Sequence, residues 1–506
     1  MKFKSLLVFV LICALALPIF CACGDDTGDT SSSTSAATDS NAEGTVSDET
    51  SKDTDIRPDV IDLGGREINV LCWDWTAGSK SIFGYTGEIL YKNSDEDNHS
   101  SVDVKKKEVI DYVESNYNCT IGGELVNNTS FVSDIEAMVT ASTYDYDIVF
   151  ANTLYAAQLL SKNLLSDLSD VSTIHLENSW WDQNAVNDMS IGDRVFWTCG
   201  DINTYDNLGT WCVLFNKNLK TNLGIEEDFY QMAKDGTWTW DNFMEICKGV
   251  TTEITGDNTI DEFDQWALGT ETYNIYVQVV GAGIRICEKD EEDLPYFTID
   301  TQTEQTYNAL ESIVNFYNGN EVMCANGGKY DNKGYSNVWE STVHKAFIEG
   351  RELFYMCGLI NVAGFRSMED EFGILPIPKT FAEQDRYYHT VSTSNSSYMM
   401  IPYGAPDIED LGVVIEAIAM KSKEVVTPEF YENQLKYRDA RDDESAAMLD
   451  LIFSTRAFDL GPVFSWGNIL NCYTAMDTNY ASRFDSTLDA ATLAMEDSIE
   501  LILSYN

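Results

Sequence analysis

Residues 130–164 read SFVSDIEAMVTASTYDYDIVFANTLYAAQLLSKNL, and their alternation sets the fold class. Ser130 to Ser142 has helical spacing, Tyr146 to Ala151 is a short apolar strand, and Leu154 to Leu164 returns to helical spacing. The second helix is expected to end at Asn163, because asparagine tolerates the left-handed cap conformation. Upstream the same unit is already running. Arg66 to Trp75 places Ile68, Val70 and Cys72 on one side of a strand. Ser101 to Tyr117 repeats Val109, Val113 and Tyr117 at helical spacing, and Cys119 to Val126 reads as the next strand. Strands separated by helices predict an α/β lobe around a largely parallel sheet.

The texture changes at Trp180. Strands are expected at Arg194 to Cys199 and Thr210 to Phe215, separated by the polar loop Gly200 to Gly209, which is long enough to pass between lobes. Helices are expected at Asp241 to Thr252, at Thr303 to Tyr317 and across Trp339, His344 and Phe347. Strands follow at Leu353 to Met356 and Ser397 to Ile401, Gly373 to Pro378 is a short apolar segment stopped by Pro376 and Pro378, and helical patterns dominate from Leu411 onward.

At the other end, Lys2 and Lys4 precede an apolar run from Leu6 to Phe20. That run is too short for a permanent membrane span and has the charge pattern of an export leader. Cys23, after the small Ala22 and before a polar tail, fits the position at which a lipoprotein signal is cut and the new terminal cysteine acylated. Residues 1–22 are thus expected to be a signal peptide. Residues 23–60, rich in Asp, Ser and Thr, bury too little to offset chain entropy and are expected to form a flexible tether. About 35 flexible residues span roughly 30–35 Å. The remaining 450 or so residues suit two lobes better than one core.

The formal charge of −51 argues against nucleic acid and against adsorption to anionic lipid, whose phosphates would be repelled. The chain holds 11 Trp, 26 Tyr and 23 Phe, more than packing alone requires, which points to some rings facing a ligand. Cys72, Cys119, Cys199, Cys212, Cys247, Cys287, Cys324, Cys357 and Cys472 are scattered without close pairs and read as buried thiols, with a Cys199–Cys212 bridge as the one spacing of interest. His99, His175, His344 and His389 stand far apart, so a zinc site is not expected.

Several blocks, taken in order, resemble the family one extracellular solute-binding proteins that deliver substrates to ABC importers. They are Tyr146-Asp147-Ile148-Val149-Phe150, Leu164 to Leu168, Trp180-Trp181-Asp182, Phe215-Asn216-Lys217, Trp238-Thr239-Trp240, Phe347 to Phe354 and Phe372 to Lys379. The resemblance implies an α/β, two-lobed periplasmic-binding-protein type II fold with hinge-linked lobes and a helical C-terminal part. It further implies a first lobe of 61–206 and 347–401, a second lobe of 207–346 and 402–506, and a solute, most often an oligosaccharide, held between them. The protein would be a monomer, lipid-anchored on the outer face of the membrane, passing its solute to permease subunits. Because sugars offer apolar faces to rings and hydroxyls to polar side chains, ligand-binding candidates are sought at strand ends. Trp73, Asp74 and Trp75 follow the first strand, and Asn152 follows the strand ending at Ala151. Asp201, Asn203 and Tyr205 lie in the crossing loop, Asn361 follows the strand near Met356, and Tyr273, Trp339 and Trp466 complete the set. Trp180, Trp181, Trp238 and Trp240 are read as packing residues.

Glu253 to Asp264 carries oxygen-bearing side chains at Glu253, Thr255, Asp257, Thr259, Asp261 and Asp264, the spacing of a calcium loop. Asn258 replaces its glycine and Asp264 its bidentate glutamate. Asp257, Asp261 and Asp264 are the candidate Ca2+ ligands, with an acidic surface turn as the competing reading. No other cofactor is expected. The competing functions are a glycan-active enzyme, whose paired carboxylates cannot be singled out among 83 acidic residues, and a sensor or adhesin that binds without transport.

Overall fold

The computed structural model describes residues 54–74, 87–96, 99–330, 333–431 and 442–505, apart from the side chains at 363, 366 and 367. The expected signal peptide, the site at Cys23 and the tether up to residue 53 lie outside these, as does Trp75. Two sheets organise the rest. The first has the order Tyr398–Met400, Ile148–Ala151, Arg66–Trp73, Cys119–Val126, with the last three strands parallel and Tyr398–Met400 antiparallel to its neighbour. Its register sets Arg66 opposite Cys119 and Val70 opposite Ile148.

Local chemistry explains why the elements start and stop where they do. The helix Ser101–Tyr117 opens with a capping box, in which Ser100 Oγ accepts from Asp103 N at 3.2 Å and Asp103 Oδ2 accepts from Ser100 N at 2.8 Å, satisfying two amides the helix leaves unpaired. It closes at Asn118, whose φ of 50° turns the chain straight into Cys119–Val126. The face of Ile68, Val70 and Cys72 is fully buried against Val109 and Val113 of this helix. Leu71 points the other way, into a cluster with Phe131, Ile135 and Met138. The helix Thr153–Leu160 stops three residues before Asn163, and Asn163 takes the left-handed conformation at φ 55°.

The second sheet has the order Phe372–Leu375, Trp211–Asn216, Glu352–Gly358, Trp266–Glu271, Val322–Ala325. Among its first three strands each runs antiparallel to its neighbour, and the last two are parallel to Glu352–Gly358. Trp238 and Trp240 are buried beside it with Phe243 and Phe354, and Trp238 Nε1 donates to the Pro376 carbonyl at 2.9 Å.

This topology corrects the expected segment boundaries. The stretch 347–401 does not return to the first lobe as a block. Glu352–Gly358, buried at all seven residues, is the hydrogen-bonded centre of the second sheet, Phe372–Leu375 forms that sheet's edge, and only Tyr398–Met400 joins the first. Nor does 402–506 belong wholly to the second lobe. The helix Ile408–Pro428 packs on Ser101–Tyr117 of the first, with Lys421 over the Tyr112 ring. Its Glu416 gathers four donors from the segment 175–181: His175 N, Asn178 Nδ2, Trp180 Nε1 and Trp181 Nε1. That carboxylate explains the Trp-Trp pair at 180–181. The expected strand at Arg194 to Cys199 is reduced to single bridges, because Thr198 reaches Met399 alone. The tether ends earlier than residue 60: Asp55 accepts from Ser179 N at 2.7 Å, and Ile56 exchanges two hydrogen bonds with Asn178.

All nine described cysteines are buried and unbridged. Cys212 does not meet Cys199; it lies opposite Cys357 across the antiparallel pair Trp211–Asn216 and Glu352–Gly358. Among the described residues no helix is long and apolar enough to cross a membrane.

Candidate functional site

Two chain segments run side by side between the sheets. The first, from Cys199 to Trp211, contains the short helix Tyr205–Leu208; the second is Thr390 to Tyr398. Thr210 bridges Val391, Ser392 N donates to the Gly209 carbonyl at 2.9 Å, and Asn203 Nδ2 donates to the Ser397 carbonyl at 3.1 Å. Buried charge fixes them further. Glu88 accepts from Thr204 N at 2.8 Å and forms a hydrogen bond with Ser397, and burial, against the pull of Lys106, pushes its carboxyl up to about 7. Arg456 bonds Asp206 at 3.0 Å and Asn207 at 3.2 Å, and pairs with Asp182 as well.

A pocket of about 170 Å³ opens beside these segments. It lies at the carboxyl ends of Trp266–Glu271 and Glu352–Gly358, where ligands of open α/β sheets are bound. Trp211, Glu271, Trp339, Cys357 and Asn361 line it from the second sheet, and Gly209, Ser392 and Asn395 from the crossing segments. On the far side of the second crossing stands the end of the first sheet: Thr153 Oγ1 donates to the Thr393 carbonyl at 3.2 Å and Asn152 Nδ2 to that of Ser394 at 3.4 Å.

Two buried polar atoms of the pocket find no partner among the described residues. Trp211 Nε1 and Asn361 Oδ1 are buried and make no hydrogen bond among the described residues, although Asn361 Nδ2 is held by the Gly358 carbonyl at 3.1 Å. Glu271 is half-buried at its strand end. Burial alone raises its carboxyl to about 7, with no cation or hydrogen-bond donor to offset the shift. Trp339 lies half-buried on the His344 ring, 4.5 Å between centroids, within a helix carrying a π turn at Glu340–His344. Aromatic faces, one N–H donor and several acceptors therefore meet in one concave space, and no Lys or Arg stands among its described lining residues. Unpaired buried polar atoms are uncommon in folded proteins.

Of the residues singled out in the sequence, Trp339 and Asn361 line this pocket, and Tyr273 lies behind it, its ring 5.6 Å from that of Trp211. Trp73 is the last residue of the first strand and Asp74 follows it; Trp73 packs against Phe131 and Tyr155 at 5.3 and 4.6 Å. Asn152 caps the next helix by accepting from Tyr155 N at 2.9 Å. Asp201 accepts from Thr427 Oγ1 at 2.5 Å, outside the pocket, and burial lifts its carboxyl to about 6. Asn203 and Tyr205 are buried in the crossing and serve its geometry. Trp466 is a core residue, stacked on Phe464 at 4.6 Å with Nε1 donating to Ser498 Oγ at 2.8 Å. Sequence reasoning missed Trp211, which reads as an ordinary strand residue, and Glu271, one acidic residue among many. A polar residue at the carboxyl end of a strand was the signal available for Glu271.

The proposed calcium ligands do not converge. Asp264 accepts from Ile254 N and Asp261 N, Asp257 from Thr259 N and Asp261 from Phe263 N, so these carboxylates hold the loop's own amides. Among the described residues no cluster of three or more His, Cys, Asp or Glu is placed to hold a metal ion.

No protein-family model and no curated protein matches the chain. Solved structures do. A cyclic alpha-maltosyl-1,6-maltose binding protein from Arthrobacter globiformis aligns over 86% of this chain and 99% of its own with a TM-score of 0.54 at 13% identity. A sugar transporter from Rhizobium etli in an open conformation aligns over 86% and 99% at 0.52 and 12%. A cyclo/maltodextrin-binding protein complexed with maltotetraose aligns over 87% and 97% at 0.51 and 11%. The chain shares their mixed α/β, two-lobed fold.

Proposed function

We propose that this protein is a solute-binding protein that captures a small glycan in the pocket between its two sheets and presents it to an ABC permease from the outer face of the membrane, tethered through a lipid on Cys23. The observation that carries this reading is the meeting of Trp211, Trp339, Asn361 and Glu271, all with unspent ring faces or polar atoms, beside two paired crossing segments. Sugar rings stack their C–H faces on indoles while their hydroxyls hydrogen-bond to amides and carboxylates. The crossing segments are a natural hinge: a ligand that touches both lobes only when they are closed shifts the population by its differential affinity. The maltodextrin- and sugar-binding neighbours support the same solute class. A thermal-shift screen of residues 54–506 against oligosaccharides, with peptides and polyols as controls, tests it. A native-state ligand raises the melting temperature by mass action. An oligosaccharide series that does so and is recovered intact supports the reading; cleavage of the sugar, or a response to peptides alone, overturns it. Release of a Cys23→Ser variant into the medium tests the anchor.

A further inference from the structure

We infer that Glu271 sorts ligands by charge, so that at the ligand position it meets an amine is preferred to a hydroxyl and a hydroxyl to a carboxylate. This rests on the glycan-binding reading and makes it more specific. The geometry is that of an acceptor-rich enclosure. Glu271 and Asn361 bring acceptors to the pocket lining: nothing but burial acts on the Glu271 carboxylate, and Asn361 Oδ1 is buried without a partner among the described residues, as is the donor Trp211 Nε1. The ligand must therefore bring donors.

The ionisable groups around Glu271 accentuate this. Tyr273, Tyr317, Tyr355 and Cys357, the groups that feel its charge, are all pushed further towards their neutral forms. No cation among the described residues neutralises it. Two indoles complete the enclosure, and their π faces favour a cation. An ammonium satisfies the carboxylate with a charge-assisted bond. A hydroxyl satisfies it more weakly, and an anion meets like charge at short range in a medium that screens poorly. Burial, which raises the Glu271 carboxyl to about 7, leaves it poised to be drawn to the ionised state by such a partner.

The test is calorimetric titration at pH 8 and low salt. The probes are neutral α- and β-linked gluco-oligosaccharides together with their C6-aminated and C6-oxidised counterparts. The wild type is expected to rank amine over hydroxyl over carboxylate, with at least about a tenfold separation between the extremes, equivalent to about 1.4 kcal/mol, that narrows as salt is raised. Glu271→Gln, similar in shape, should collapse the separation to less than about threefold. Glu271→Asp keeps the charge and should keep the order. Unliganded melting temperatures of both variants show that they are folded. Neutral sugars that bind with no charge ranking, or a ranking that survives in E271Q, overturn the inference while leaving glycan binding intact. Failure of every member of the series to bind overturns both.

Discussion

Replacing Glu416 with leucine removes one buried carboxylate and strands four donors at once. The side chain is fully buried. Its Oε1 accepts from Trp181 Nε1 at 2.8 Å and His175 N at 3.1 Å, and its Oε2 from Trp180 Nε1 and Asn178 Nδ2, both at 2.9 Å. Each orphaned buried donor costs about 1–3 kcal/mol. The low end gives roughly 4 kcal/mol, since the four share one acceptor and relax together. Against this stands relief from burying a charge. Burial raises the Glu416 carboxyl despite its four donors, so desolvation outweighs part of what they contribute. A net loss of roughly 2–4 kcal/mol is expected for E416L. E416Q should fall between it and the wild type, because one acceptor oxygen remains while the amide presents N–H groups to other N–H donors. Urea unfolding followed by tryptophan emission measures this, since two of the donors are themselves indoles. A first transition in E416L within about 0.5 kcal/mol of the wild type, the range of an ordinary surface substitution, would refute the reasoning.

Other substitutions probe the crossing segments and the pocket. Arg456→Met leaves Asp182 and Asp206 facing each other without their cation; about 3–5 kcal/mol of stability should be lost in thermal or chemical unfolding. Burial pushes the Glu88 carboxyl up from its ordinary 4.5 to about 7 in the folded state, so the folded state binds the extra proton. Its contribution is fully present below 4.5 and is lost as pH rises through 7, by up to about 3 kcal/mol. The slope of stability against pH in that window should therefore be shallower in E88Q, as a series of urea melts would show. Trp339→Ala should weaken binding of any glycan found by at least about tenfold, with little change in melting temperature because the ring is half-buried; equal titration curves would remove Trp339 from the site.

The parallel half of the fold was legible because its signals are local. Helical and strand periods alternate through 66–164, and Ser100, Asp103, Asn118 and Asn163 mark boundaries by side-chain chemistry that neighbouring residues complete. The second sheet was harder to assign. Glu352–Gly358 is apolar along nearly all its length, as a central strand in either lobe would be, and its partners Trp211–Asn216 and Trp266–Glu271 lie far off in sequence. Glu416 likewise gives no sign in a helix pattern that it will bind residues more than two hundred positions earlier. Of the pocket lining, Asn361 was singled out because a polar residue after a strand end is conspicuous, and Trp339 because an indole in an amphipathic helix is. Trp211 was not, since what distinguishes it is an unpaired N–H that exists only once the crossings are laid beside it. Trp466 shows the converse: an indole near the C-terminus has no sequence mark telling core from cleft.

The most direct test of the central claim is hydrogen–deuterium exchange of the full chain with and without the glycan that gives the largest thermal shift. If the solute sits where Trp211, Glu271, Trp339 and Asn361 converge, added protection should appear together in peptides covering 209–211, 271–273, 339, 357–361 and 392–395, from both the second sheet and the crossing segments. Protection confined to other surfaces, with these segments unchanged at saturating ligand, would contradict the account.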